Sequence, residues 1–257
     1  MCSGNPLTID TGCLPFIFSC VLICVHPKFL SHAIGMGIAC VVWITSTTAA
    51  CAASALPRDT PDQVLHLLTQ CSDKKQPSVV VGQYLAHGNH LPWGRTEWLE
   101  KLEAETGQKP VIVGADYAYG NGRADDPDIR AINGTLIELW NQGHLIALSW
   151  HARNPVTGGT AFDNSPVNLA ELSDPKSALG QTWFKELDRI GAGLAELQKA
   201  GVVVIWRPFH EMNGRWFWWG NRDGGDRNGH RRRDFVSLWK NTRRYLQERW
   251  GLKNLIW

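Results

Sequence analysis

Past residue 51 the chain carries a single cysteine, Cys71; the other six, Cys2, Cys13, Cys20, Cys24, Cys40 and Cys51, crowd its beginning. A disulfide framework would spread its cysteines through the folded body, so none is expected. The chain also lacks a Cys-x-x-Cys pair, which argues against a zinc ribbon. Charge of one sign is missing too: 26 Lys and Arg against 24 Asp and Glu leave a formal net charge of +2. Neither nucleic acid nor an acidic membrane is expected as a partner on that balance. The dense basic spot, Arg231, Arg232 and Arg233, reads as a solvated loop or a helix start. No Gly-x-Gly-x-x-Gly follows the first apolar run of the body, which weakens a dinucleotide-binding reading. "HEMNG" (210–214) lacks the second His of His-Glu-x-x-His, and no spacing forces His87, His151, His210 and Glu211 together around zinc. "GNRDGGDRNGH" (220–230) matches no calcium loop. No metal and no cofactor is expected.

What the chain has in excess is tryptophan, 13 residues in 257. An indole is large, and its N–H needs a partner when buried. Trp140, Trp239 and Trp250 sit in helix-like stretches and read as core. The cluster Trp216, Phe217, Trp218 and Trp219 is harder to assign to a core, because flat rings also suit the apolar face of a sugar.

Residues 13–55 are apolar, small or hydroxylated and carry almost no charge. Within them "AIGMGIACVVWI" (33–44) has the length of a signal-peptide apolar region and is short for a membrane span. Lys28, with His26 and His32, supplies a weakly basic lead, and "TSTTAACAASA" (45–55) offers cleavage sites ending at Ala52 and Ala55. A membrane anchor joining 13–25 to 33–44 is interrupted by Pro27 and Lys28. Residues 1–55 are therefore expected to be an extension and signal peptide, removed on export, ahead of a folded body over residues 56–257. The mature product is expected to be secreted, extracellular or periplasmic, without stable membrane association.

From residue 57 the chain alternates. Strands are expected over 78–85, 110–118, 144–150, 202–209 and 254–257, from their β-branched apolar runs. Helices are expected over 96–107, 126–143, 177–201 and 234–251, several closed by Gly. Near-continuous apolar strands alternating with helices imply a parallel sheet covered by helices. An open doubly wound sheet and a (β/α)8 barrel both fit. His87, Asp116, His151, His210 and Glu211 follow strand ends, which favours the barrel modestly. A chain ending in its fifth strand is expected to be an incomplete barrel, about three β/α units short.

"WRPFHEMNGRWFWWG" (206–220) concentrates the chemistry. For a carboxyl ending a buried strand in an aromatic mouth, desolvation raises the pKa while the donors Arg207 and His210 lower it. If desolvation wins, the carboxyl stays protonated and donates to a leaving oxygen. The alternative is an ion pair between Glu211 and Arg207 that ties the rim together.

The same segment closely resembles the acid/base segment of glycoside hydrolase family 26, whose best-known members are endo-β-1,4-mannanases. "LSWHARNP" (148–155) followed by "TGG", and "WKNTRRYLQERWGLKNLIW" (239–257), resemble the family's passages around its third strand and into its fifth. The resemblance covers about 60–257. It implies a retaining TIM-barrel hydrolase acting on β-mannan, with Glu211 as acid/base and His210 beside it organising the nucleophile. His151 would contact the sugar at the cleavage site and Trp216 would line the same subsite. Tyr84 and Asp116 take rim positions without an implied role. The family nucleophile, a Glu ending the seventh strand, would lie beyond residue 257, so these 257 residues alone are expected to lack normal activity. Xylan or mixed-linkage glucan is the neighbouring substrate choice, and a non-catalytic carbohydrate-binding remnant the alternative from another class.

Overall fold

The computed structural model describes residues 57–71, 79–85, 96–118, 126–220 and 230–257. The expected signal region, His87 and most of the 220–230 loop lie outside them. The elements run α1 Pro61–Gln70, β1 Gly82–Tyr84, α2 Glu97–Thr106, β2 Ile112–Tyr117, α3 Asp126–Asn141, β3 Leu145–Trp150, α4 Leu169–Leu172, α5 Ala178–Lys199, β4 Val204–Pro208, α6 His230–Arg249 and β5 Leu255–Ile256.

All strand pairs are parallel, and the order β1-β2-β3-β4-β5 follows the sequence. That order decides between the two architectures. A doubly wound sheet reverses its strand order at a switch point, and here each strand lies beside the next. The fold is therefore α/β with a singly wound sheet of the (β/α)8 barrel type, about half of a barrel in extent.

Register then sorts the side chains. Asp116 pairs with Ser149 and Ser149 with Arg207, so these three share a row and a face. Tyr117, Trp150 and Trp206 point the other way, toward the helices. Trp150 stacks on Trp183 of α5 at 5.2 Å and on Trp206 at 6.4 Å, and Tyr117 meets Trp206 at 6.1 Å. Tyr117 also donates to Asn133 Oδ1 of α3 at 2.6 Å. Much of the tryptophan excess is thus spent on the layer between sheet and helices.

Local signals explain the helix ends. Thr60 and Gln63 form a reciprocal capping box and Pro61 holds the first turn of α1. Ser177 caps α5 through Gly180 N–H. Gly107 closes α2 at φ +67°, where a Cβ would be strained. At the opposite end of the sheet from the site, Arg58 donates to the carbonyls of Trp140 and His144 and lies over the Trp140 ring at 4.3 Å. No helix among the described residues is long and apolar enough to cross a membrane.

Candidate active site

Strand β4 ends at Pro208, and the next residues leave the sheet through an unusual backbone. Phe209 has φ +52° and Glu211 has φ +55°. Left-handed conformations cost a side-chain-bearing residue on the order of 1 kcal/mol or more, and they gather at functional sites. Burial of Phe209 compensates: its ring packs on Trp183 at 5.8 Å, Trp219 at 6.0 Å and Phe235 at 6.0 Å. With Phe209 anchored behind the sheet, the alternation places His210 inward and lifts Glu211 to the surface above the strand ends.

The turn is closed by Gly214 N–H donating to Glu211 O at 2.8 Å. Glycine at 214 leaves room for this placement of Trp216, since a Cβ there would lie 2.4 Å from the indole ring. That close approach lets the indole fold back, and Trp216 Nε1 donates to Glu211 Oε2 at 2.8 Å. The rest of the segment is pinned. Trp218 Nε1 donates to Ala152 O at 2.9 Å, Trp219 Nε1 to His210 O at 2.9 Å, and Arg231 to the carbonyls of Gly220 and Trp218. Arg231 therefore braces the loop from the first turn of α6.

Two sequence expectations are corrected here. The clustered rings are not all a sugar platform: Phe217, Trp218 and Trp219 are buried, and Trp216, 47% exposed, is the ring presented to solvent. Nor is Glu211 desolvated. It is exposed, and it bonds Trp216 across the turn, not Arg207. The physical reason is the reversal at positive φ, which carries the carboxyl away from the inner face where Arg207 stays.

Beneath Glu211 lies a buried polar group. His151, at the end of β3, is 5% exposed, and its Nδ1 stands 2.7 Å from Asp116 Oδ2, itself 3% exposed. The His151 and His210 rings meet edge to face at 4.6 Å, and Phe217 closes on them at 5.1 and 5.2 Å. Phe162 flanks His151 at 6.1 Å. Burial pushes the Asp116 carboxyl pKa up, opposed by its hydrogen bond to and charge interaction with His151. The His210 pKa falls to about 3, first from burial and then from the charges of His151 and Arg207. His210 is therefore a neutral ring at ordinary pH, able to accept or donate one hydrogen bond.

Glu211, His210, His151 and Trp216 are thus linked by contacts at one end of the sheet: His210 lies edge to face with His151 at 4.6 Å, and Trp216 bonds Glu211. Tyr84 and Asp116, expected at the rim, are instead buried below it. Gly114 explains how: a Cβ there would sit 2.5 Å from the Tyr84 ring. The ring therefore lies across β2, and burial first, then the Asp116 charge, raise the tyrosine pKa well above its ordinary range. The sequence carried one signal for this, an aspartate inside the apolar run "VIVGADYA".

A parallel sheet in strand order, with a carboxylate, two histidines and an exposed indole at its C-terminal edge, has the layout of a (β/α)8-type fold, which keeps its polar groups at that face. Residues 58–257 match the model of Glycosyl hydrolase family 26, and the chain belongs to that family. It is similar to a mannan endo-1,4-beta-mannosidase of Bacillus subtilis, 32% identical over 209 residues, covering 78% of this chain and 56% of that protein. A mannanase structure from B. subtilis superposes with a TM-score of 0.61 at 30% identity, over 69% of this chain and 55% of that one. A beta-mannanase from a symbiotic protist of the termite Reticulitermes speratus, solved with gluco-manno-oligosaccharide, gives 0.53 at 27% identity, over 68% of this chain and 55% of that one. The chain spans little more than half the length of these relatives.

Proposed function

We propose that the protein hydrolyses β-1,4-mannosidic linkages with retention of configuration, and that Glu211 is its acid/base. The observation that carries this reading is the placement of Glu211: a paired left-handed turn raises its carboxyl to the mouth, where the indole of an exposed Trp216 holds one oxygen. The other oxygen is left to carry the proton that a departing glycosidic oxygen needs. The same indole offers a flat face for the sugar ring. His210, kept neutral, stands beside the acid without competing for its charge.

A retaining mechanism needs a second carboxylate about 5–5.5 Å from the first. At the C-terminal ends of the described strands the carboxylates are Asp116 and Glu211, and Asp116 is committed to His151. The nucleophile in this proposal is a Glu at the end of the seventh strand of the family's barrel. The similarity to mannan endo-1,4-beta-mannosidases supports mannan as the substrate. Export belongs to the same proposal, and N-terminal sequencing of the secreted protein should begin near residue 56.

The test is hydrolysis of β-mannan by the intact protein and by Glu211→Gln. Loss of general acid catalysis predicts a fall in kcat of about 10²- to 10⁴-fold. An unchanged rate would end the assignment, and product analysis on mannan, xylan and mixed-linkage glucan decides the substrate.

A further inference from the structure

The Asp116–His151 pair stands apart from the residues given a role so far. Both side chains are buried and their contact is 2.7 Å; Asp116 lies in β2, and His151 follows the last residue of β3, its N–H donating to Tyr117 O at 2.9 Å. Such a pair has a chemical consequence. An ionised carboxylate accepts hydrogen bonds and cannot donate, so with Asp116 ionised the imidazole nitrogen facing it carries the hydrogen. Which nitrogen of a histidine carries its proton is set by the bond the other nitrogen makes. The Asp116 carboxyl interacts with both the Tyr84 hydroxyl and His151. The ring cannot easily turn, since His210, Phe217 and Phe162 surround it at 4.6, 5.1 and 6.1 Å.

We propose that Asp116 is a positioning residue of the active site: it holds a proton on His151 Nδ1 and so fixes Nε2, on the far side of the ring, as the atom offered to the sugar. This rests on the hydrolase reading for its purpose but not for its geometry. Asp116 does not touch substrate. It acts through His151, and Tyr84 acts through Asp116, giving a chain from the first strand to the third. Asparagine at 116 would keep the shape, yet its amide can present either oxygen or NH₂ to the ring. The tautomer would then no longer be dictated.

The experiment is nitrogen-15 NMR of the histidine side chains in the intact protein, with His151 assigned by comparison with His151→Gln. Wild type should show His151 protonated at Nδ1, and Asp116→Asn should shift the ring toward the Nε2–H tautomer. Alongside, kcat/KM on β-mannan should fall about 10- to 100-fold in Asp116→Asn, a size set by analogy with losing the partner that orients a metal-bound histidine. Tyr84→Phe, which removes a single hydroxyl, should give a smaller fall in the same direction and covers the case in which the Asp116 variant fails to fold. Wild-type His151 protonated at Nε2 alone overturns the proposal, and so does an Asp116→Asn protein with unchanged His151 signals and unchanged kcat/KM. Should Glu211→Gln leave mannan hydrolysis intact, the hydrolase reading fails, while the His151 spectrum still decides the role of Asp116.

Discussion

Glu211 and the indole of Trp216 are joined by one hydrogen bond of 2.8 Å, and that contact sets up the sharpest predictions at the scale of single residues. A hydrogen bond to a charged group contributes about 1.5–3 kcal/mol. Trp216→Phe keeps a flat ring and deletes the donor, so kcat/KM of the intact protein on β-mannan should fall about 10- to 100-fold. An unchanged value would mean that the indole does not orient the acid. His210 gives a second prediction, on stability. Its pKa is lowered from 6.5 to about 3 by burial, aided by His151 and Arg207. Between those values the unfolded chain binds a proton that the folded ring does not. Stability is therefore lost as pH falls from about 6.5 toward 3, with an upper bound of about 5 kcal/mol for this ring. His144, also lowered by burial, acts in the same direction. Comparing wild type with His210→Gln by denaturant titration at pH 7 and pH 4 isolates the His210 share, and the variant should lose less stability on acidification. Parallel losses would contradict the account.

At the scale of elements, helix packing makes opposite predictions for two glycines. Gly134 lies in α3 with nothing within 4 Å of a Cβ placed there, so Gly134→Ala should stabilise by about 1 kcal/mol through helix propensity. Gly191 lies in α5, where a Cβ would meet the Trp250 ring at 2.5 Å, and that indole is fixed by its bond to Asp188 at 3.0 Å. Overpacking of about 1–3 kcal/mol there should outweigh the propensity gain. Thermal midpoints of the two variants should move in opposite directions, and a shared direction would refute the packing argument. The elements were also the most legible part of the sequence, because a buried parallel strand reads as a β-branched run and each long helix carried a cap or a Gly stop. Every expected strand and helix is present, with ends shifted by a few residues; α6 starts at His230, four residues before the expected Asp234. Helix α1 went unread, although "TPDQ" (60–63) spelled out its capping box. Short α4, capped by Asn168, was missed because four residues carry too little periodicity. The site was legible as residue types. Its exposure pattern was not, because the turn at Phe209 and Glu211 uses a backbone conformation that the identities of those two residues disfavour.

For the whole molecule, the sheet order places every chemical group named here on one edge, while Arg58 ties the opposite end. Among the described residues β1 pairs only with β2, and β5 only with β4. Open apolar edges are aggregation-prone and cost stability. Residues 56–257 produced alone should therefore unfold without a sharp thermal transition, and a cooperative transition would contradict a stability cost from those edges. The central claim remains that the Glu211 carboxyl delivers the proton to the leaving oxygen. The most direct measurement is hydrolysis by the intact protein carrying Glu211→Ala, using aryl β-mannosides of rising leaving-group acidity, with and without azide. A leaving group that needs no proton should recover its bond-cleavage step, and azide should yield a β-mannosyl azide by replacing the base-assisted water. Equal losses across all leaving groups, with no azide product, would contradict it.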